Sequence, residues 1–144
     1  MYEVRVQSRF SAAHQVRMYD GELEPIHGHD WLVEAVYRSR ELDSISVLID
    51  FVAVEAALEA TTREIHQTRL NDAPLLEGDN PTAERVARRI FDRLRTILPS
   101  APLAGVYVHE APGCIAGYLA ESGENVRTCE SDNRAGYGHP APRV

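Results

Sequence analysis

The sequence predicts a single α+β domain in which two β-hairpins flank two amphipathic helices. Apolar and polar residues alternate near the start of the chain and again after residue 105, and two central segments repeat apolar residues every three to four positions. With 144 residues and 44% hydrophobic content, the chain can bury one core. Because the hairpins and the helices are segregated along the chain, the order indicates an α+β arrangement.

The first predicted hairpin lies at the start of the chain. Residues 2–7 alternate apolar with polar side chains, which predicts a half-buried strand that leads to His14. After a loop over residues 18–25, a second strand is predicted over residues 27–38. One face of this second strand carries Trp31, Val33, Ala35 and Tyr37. The two strands pair most simply with each other.

Two helices are predicted between the hairpins. Asp50 can cap the first, whose apolar stripe extends to about His66. Asn80 is the predicted cap of the second, with Pro81 at its first helical position. The apolar face of this second helix carries Ala83, Val86, Ala87, Ile90, Phe91, Leu94 and Leu98.

The second predicted hairpin follows the helices. Residues 106–109 alternate, and Pro112-Gly113 turns the chain toward a last strand over residues 114–119. The resulting four-stranded sheet has open edges, and such edges are commonly paired with a neighbouring subunit. A homo-oligomer is therefore expected.

The last residues of the chain differ in composition from the rest. Residues 121–144 are poor in aliphatic side chains and show no periodicity. We therefore expect an irregular C-terminal tail after a folded domain that spans residues 1–120.

Composition excludes several classes of function. The 22 acidic residues outnumber 15 basic ones, giving a net charge of −7, so a general nucleic-acid binder is not expected. All basic residues are Arg, which excludes Schiff-base chemistry on lysine. Cys114 and Cys129 are too few for a disulfide framework or an all-thiolate zinc site, which fits a reduced, cytoplasmic setting. The N-terminus has no continuous apolar region, so neither a signal peptide nor a membrane span is expected.

Three histidines form a candidate metal site. His27 and His29 lie two residues apart, so on a strand both imidazoles point to one face, and Gly28 between them allows close approach. His14 ends the preceding strand, and antiparallel pairing can bring it beside them. Three neutral nitrogens leave a fourth tetrahedral position open, as in catalytic Zn²⁺ sites. Taken alone, His-Gly-His is more often a loop tip with solvated side chains.

Six short motifs occur in a fixed order around these histidines. They are Phe10-Ser-Ala-Ala-His14, Ile26-His-Gly-His-Asp-Trp31, Asp50-Phe51, Leu70-Asn71-Asp72, Pro81-Thr-Ala-Glu84 and Val108-His-Glu110. Together they resemble the 6-pyruvoyl/6-carboxy-tetrahydropterin synthase family from about Tyr2 to Tyr118. The resemblance implies a tunnelling fold (T-fold) with an antiparallel four-stranded sheet and two helices on one face. It also implies trimers that close a barrel and stack into a homohexamer, with active sites at subunit interfaces.

The resemblance further implies a function and a set of site residues. His14, His27 and His29 match the zinc ligands, and Glu110 matches the glutamate that hydrogen-bonds the pterin ring. A carboxylate suits this role because it accepts two parallel hydrogen bonds. The implied activity is that of a zinc-dependent lyase acting on the side chain of a reduced pterin, such as 7,8-dihydroneopterin triphosphate. Such enzymes feed queuosine or tetrahydrobiopterin synthesis.

One departure from the family concerns the catalytic base. The position of the usual cysteine, four residues before His27, is occupied by Leu23. Glu24 follows it and gives Glu-x-x-His-Gly-His, which resembles a variant branch that converts dihydroneopterin to 6-hydroxymethyl-dihydropterin for folate synthesis. Glu24 is thus a candidate base, and a solvated loop acid is the equal alternative.

A second departure precedes Leu70-Asn71, where the family has an Asp-His pair and this chain has His66-Gln67. His66 can still act as a lone acid or base near neutral pH, or it can interact with the last carbonyls of its helix. Loss of both cysteine and dyad also leaves open a zinc- and pterin-binding protein without turnover. A zinc hydrolase ranks last, because it has no use for Glu110.

Overall fold

The computed structural model describes residues 1–121, so nearly all of the predicted tail lies outside the described residues. The elements in chain order are β1 (Tyr2–His14), β2 (His27–Ser39), α1 (Phe51–Ile65), β3 (Thr68–Arg69), two short 3-10 turns (Leu70–Asp72 and Pro74–Leu76), α2 (Ala83–Ile97), β4 (Leu103–Ala111) and β5 (Cys114–Leu119). The domain boundary near residue 120 stays a prediction.

One mixed sheet in the order β3-β1-β2-β4-β5 forms the centre of the fold. β1 and β2 pair antiparallel from Tyr2 opposite Ser39 to His14 opposite His27, and β4 and β5 continue the antiparallel pairing. The predicted α+β class and both hairpins are confirmed. Among residues 1–121 the predicted strand number is corrected to five, because the two residues of β3 pair parallel to β1. Two residues are too few to show any periodicity in sequence.

Both helices share one core with the sheet. Alternate residues of β1, β2 and β4 meet the buried faces of α1 and α2 in a single apolar cluster. Phe10 and Trp31 stack at its centre, with ring centroids 5.6 Å apart. The prediction of two helices on one face of the sheet is therefore confirmed.

The helix caps agree with the sequence in one case and differ in the other. Asp50 caps α1 by accepting a hydrogen bond from Val52 N–H at 2.9 Å. The cap of α2 is Thr82 rather than Asn80, so Pro81 precedes the helix. The Asn80 side chain instead bonds the backbone of Arg17, a tertiary contact that local capping rules do not anticipate.

The opposite face of β1 and β2 is polar. Glu34 accepts hydrogen bonds from Arg5 at 2.8 Å and Gln7 at 2.9 Å, and Glu3 accepts one from Arg38 at 2.7 Å. Neither of the two helices in residues 1–121 covers this face. None of the described helices combines the length and apolar character that a membrane crossing requires.

Candidate metal centre

The register of the first hairpin brings the three histidines together. His14 and His27 are direct cross-strand partners, and His29 lies two residues further along the same face, opposite Ala12. Glu110, near the end of β4, completes the group, and one potential ligand atom from each of the four side chains lies within 4.8 Å of all the others. The hairpin therefore builds the cluster that the sequence spacing predicts, with one additional carboxylate.

The distances within this cluster suit a tetrahedral cation. His14 Nε2 lies 3.0 Å from His27 Nε2 and 3.0 Å from Glu110 Oε1, and His29 Nε2 lies 3.2 Å from the same Glu110 oxygen. Zinc bonds of about 2.0–2.1 Å place the ligands of a tetrahedral site about 3.3 Å from each other. The ligand atoms would need to move only slightly apart to reach that geometry.

The backbone fixes which ring nitrogens are available. His14 Nδ1 donates to the Pro81 carbonyl at 2.8 Å, and His27 Nδ1 donates to the Pro25 carbonyl at 2.9 Å. A carbonyl can only accept, so in the neutral rings both Nε2 atoms carry lone pairs. These lone pairs face each other at 3.0 Å, which is repulsive unless a proton or a metal cation lies between them. The residues therefore fit a metal ion.

The surroundings of His29 also favour a role as a metal ligand. Its Nε2 is buried and has no hydrogen-bond partner among residues 1–121, because the 3.2 Å approach of Glu110 lacks hydrogen-bond alignment. Burial lowers the pKa of the His29 imidazole, although the Glu110 carboxylate opposes this shift. Burial thus favours the neutral, metal-binding ring.

Gly28 does not have the expected role within the chain. A Cβ at this position would meet Ala12 O at 3.6 Å, which is ordinary van der Waals contact. Gly28 is exposed on the face opposite the histidines. No described residue therefore makes the close approach that the glycine was expected to allow.

Glu24 lies beside the cluster without belonging to it. Its Oε1 is 3.7 Å from His27 Nε2 and accepts a hydrogen bond from Val16 N–H at 2.9 Å. The Glu24 backbone N–H also donates to the Val16 carbonyl, at 3.0 Å. Two bonds to one residue thus hold the half-buried carboxylate next to a ligand ring.

Two asparagines, which the sequence analysis did not assign to the site, hold the segment that carries Val16. Asn71 bonds both the N–H and the carbonyl of Gln15, at 2.9 and 2.8 Å. Asn80 bonds the same two groups of Arg17, at 2.7 and 3.0 Å. The asparagines therefore hold Gln15 and Arg17, while Glu24 bonds Val16 between them.

His66 lies elsewhere in this chain. It is exposed just after α1, and its Nδ1 accepts a hydrogen bond from Ser11 N–H at 3.1 Å. It is not a member of the histidine–glutamate group among residues 1–121. Its acid–base role stays a prediction.

A cleft of about 270 Å³ adjoins the cluster, between the start of α2 and the second hairpin. His14 and Glu110 line it on the cluster side, and Thr82 and Cys114 line it elsewhere. Cys114 was not identified as a site residue, although the tight turn before β5 sets it opposite Ala111. The cleft supplies room for a ligand next to the potential metal.

Fold and cluster together define a T-fold protein with a candidate metal site. A family model described as 6-pyruvoyl tetrahydropterin synthase matches residues 3–121. The chain belongs to this family of pterin-processing enzymes, and the predicted family is thereby confirmed.

Three relatives illustrate the likeness. The dihydroneopterin monophosphate aldolase of Pyrococcus furiosus is 31% identical over 93 residues, which cover 65% of this chain and 75% of that protein. The Caenorhabditis elegans 6-pyruvoyl tetrahydropterin synthase superposes with a TM-score of 0.72 at 20% identity, over 83% of this chain and 95% of that one. A Plasmodium vivax synthase, in a variant whose catalytic glutamate is replaced by alanine, superposes with a TM-score of 0.65 at 16% identity, over 81% of this chain and 96% of that one. The two structures support the fold alone.

Proposed function

We propose that this protein is a zinc-dependent lyase that cleaves the side chain of dihydroneopterin or one of its phosphates in the manner of an aldolase. The observation that carries the proposal is the Glu24 carboxylate, 3.7 Å from His27 Nε2 in a cluster of three imidazoles. Leu23 stands where the related synthases have a cysteine. The 31% identity to an aldolase also favours this reaction over synthase chemistry.

His14, His27 and His29 are the proposed zinc ligands. Their nitrogen donors suit zinc, and two of the rings are oriented by backbone carbonyls through Nδ1. A bound zinc ion would lower the pKa of the side-chain hydroxyls and polarise the developing carbonyl.

Glu24 is the proposed base. The carboxylate takes the proton of the 2′-hydroxyl, whose oxygen becomes the carbonyl oxygen of a released two-carbon aldehyde. The C1′–C2′ bond breaks, its electron pair passes into the dihydropterin ring, and a proton returned to C1′ gives the 6-hydroxymethyl product. The step needs no oxidant or reductant. A carboxylate held beside the proposed metal site is a suitable group to accept this proton.

Glu110 is the proposed partner of the pterin ring. The carboxylate borders both the cluster and the cleft, so after turning into the cleft it could bind the ring of a pterin whose side chain extends to the histidines. Two parallel hydrogen bonds from the amino and ring N–H groups would fix the orientation of the ring.

Product analysis tests the reaction. Zinc-loaded protein should convert dihydroneopterin, its monophosphate or its triphosphate to 6-hydroxymethyl-dihydropterin and one equivalent of glycolaldehyde or its phosphate, as seen by chromatography and an aldehyde assay. A 6-pyruvoyl or 6-carboxy product would instead establish synthase chemistry. Recovery of all three substrates unchanged, with pterin binding still detected by fluorescence, would establish a pterin-binding protein without turnover.

The protein is also proposed to be a homo-oligomer, most simply a hexamer of two stacked trimers. The polar face of β1 and β2 is not covered by the described helices, and the edge strands β3 and β5 have no second strand partner within residues 1–121. An exposed His66 would then be available to a neighbouring subunit. Sedimentation velocity at micromolar concentration should give a hexamer, and a monomer there would contradict the proposal.

A further inference from the structure

The position of Glu110 differs from that of a residue dedicated to the ring of a substrate. Its Oε1 is within 3.0 Å of His14 Nε2 and 3.2 Å of His29 Nε2, so it lies among the ligand atoms. His14 Nε2 and His27 Nε2 are likewise 3.0 Å apart. The carboxylate oxygen is therefore close enough to the ligand atoms to take the fourth position that three histidines alone would leave open.

We propose that Glu110 is the fourth metal ligand of the substrate-free protein, and that the substrate displaces it and then binds it as the ring partner. This inference rests on the proposed metal site. It gives one carboxylate two successive partners, first the metal and then the pterin.

The charge of the metal site favours binding of the Glu110 carboxylate to the metal in the substrate-free protein. Three neutral imidazoles leave the full charge of a divalent cation uncompensated, whereas a carboxylate ligand reduces the net charge of the site to about +1. A ligand supplied by the chain also closes the site to water. The substrate-free metal is therefore held more tightly and is less reactive.

The backbone around Glu110 allows its side chain to turn from the metal to the pterin ring. The pairing of β4 with β5 is irregular between His109 and Ala111, so Glu110 has no regular cross-strand partner on that side. Such a bulge re-aims one side chain and is common beside active sites. The Glu110 side chain is 29% exposed and borders the cleft, so it has space to turn from the metal to a ligand.

Cobalt binding distinguishes this role from ring binding alone. Co²⁺ is titrated into metal-free protein, and the visible spectrum reports both its affinity and its ligands. Glu110→Gln should weaken Co²⁺ binding by about ten- to a hundredfold and alter the spectrum, because a carboxylate ligand is lost. Glu84→Gln, which removes another carboxylate of the same cleft, should match the parent.

Addition of dihydroneopterin tests the displacement. The pterin should change the cobalt spectrum of the parent toward that of pterin-bound Glu110→Gln, because in both proteins the substrate then occupies the fourth position. Pterin binding is measured separately by fluorescence. A parent spectrum that stays the same when the pterin is bound would overturn the displacement.

The remaining outcomes are equally decisive. If Glu110→Gln binds Co²⁺ as tightly as the parent with the same spectrum, Glu110 is not a ligand, while the proposed lyase function stands. If the parent itself binds no metal, the proposed function fails together with this inference. If Glu110→Gln does not fold, Glu110→Asp replaces it, and an unchanged cobalt affinity and spectrum there would count against the ligand role.

Discussion

Replacement of His29 by alanine is expected to remove zinc from the protein and to abolish turnover. The imidazole is one of three proposed nitrogen ligands, and its buried Nε2 has no hydrogen-bond partner among the described residues. Loss of a ligand should weaken zinc binding by about a hundredfold or more. Metal analysis after dialysis against a mild chelator measures this directly.

His109→Ala is the matched control. His109 lies on β4 next to Glu110, but it points to the opposite face of the sheet from the cluster. That variant should keep one zinc per chain. A His29→Ala protein that retains a full equivalent of zinc would show that the ligand assignment is wrong.

Replacement of Glu24 by glutamine is expected to lower turnover by a factor of about a hundred or more, with zinc content and pterin affinity nearly unchanged. Glutamine keeps the shape of the side chain and can still accept the hydrogen bond from Val16 N–H, but it cannot take a proton. Single-turnover kinetics on the zinc-loaded protein separate the chemical step from binding.

Glu22→Gln is the matched control for Glu24→Gln, because it makes the same substitution in the same loop. Glu22 is exposed, so its variant should turn over like the parent. If Glu24→Gln retains parental turnover and His66→Ala does not, the base is His66. Since His66 lies outside the cluster within one chain, that result would also require a contribution from a neighbouring subunit.

The cluster could be predicted in large part because strand geometry is regular. A period of two places His27 and His29 on one face, and the hairpin makes His14 the cross-strand partner of His27. The place of Glu110 among the ligand atoms could not be predicted, since it depends on the register in which β4 pairs with β2, and no local sequence pattern specifies that register.

Other differences have the same physical origin, because tertiary contacts can override local preferences. Asn80 fits a helix cap, yet it binds the Arg17 backbone, and Thr82 caps α2 instead. The short strand β3 depends on the neighbouring edge of β1 rather than on its own two residues. Local preferences thus specify the long strands and the helices, whereas tertiary contacts specify the short strand β3 and the loops around the site.

The central claim is that a metal ion held by the three histidines enables cleavage of a pterin side chain. Zinc should be titrated into metal-free protein in the presence of dihydroneopterin, and the rate of 6-hydroxymethyl-dihydropterin formation should be followed by chromatography. The rate should rise in proportion to added zinc and reach a plateau at one zinc per chain. An unchanged rate from metal-free to fully loaded protein would contradict the claim.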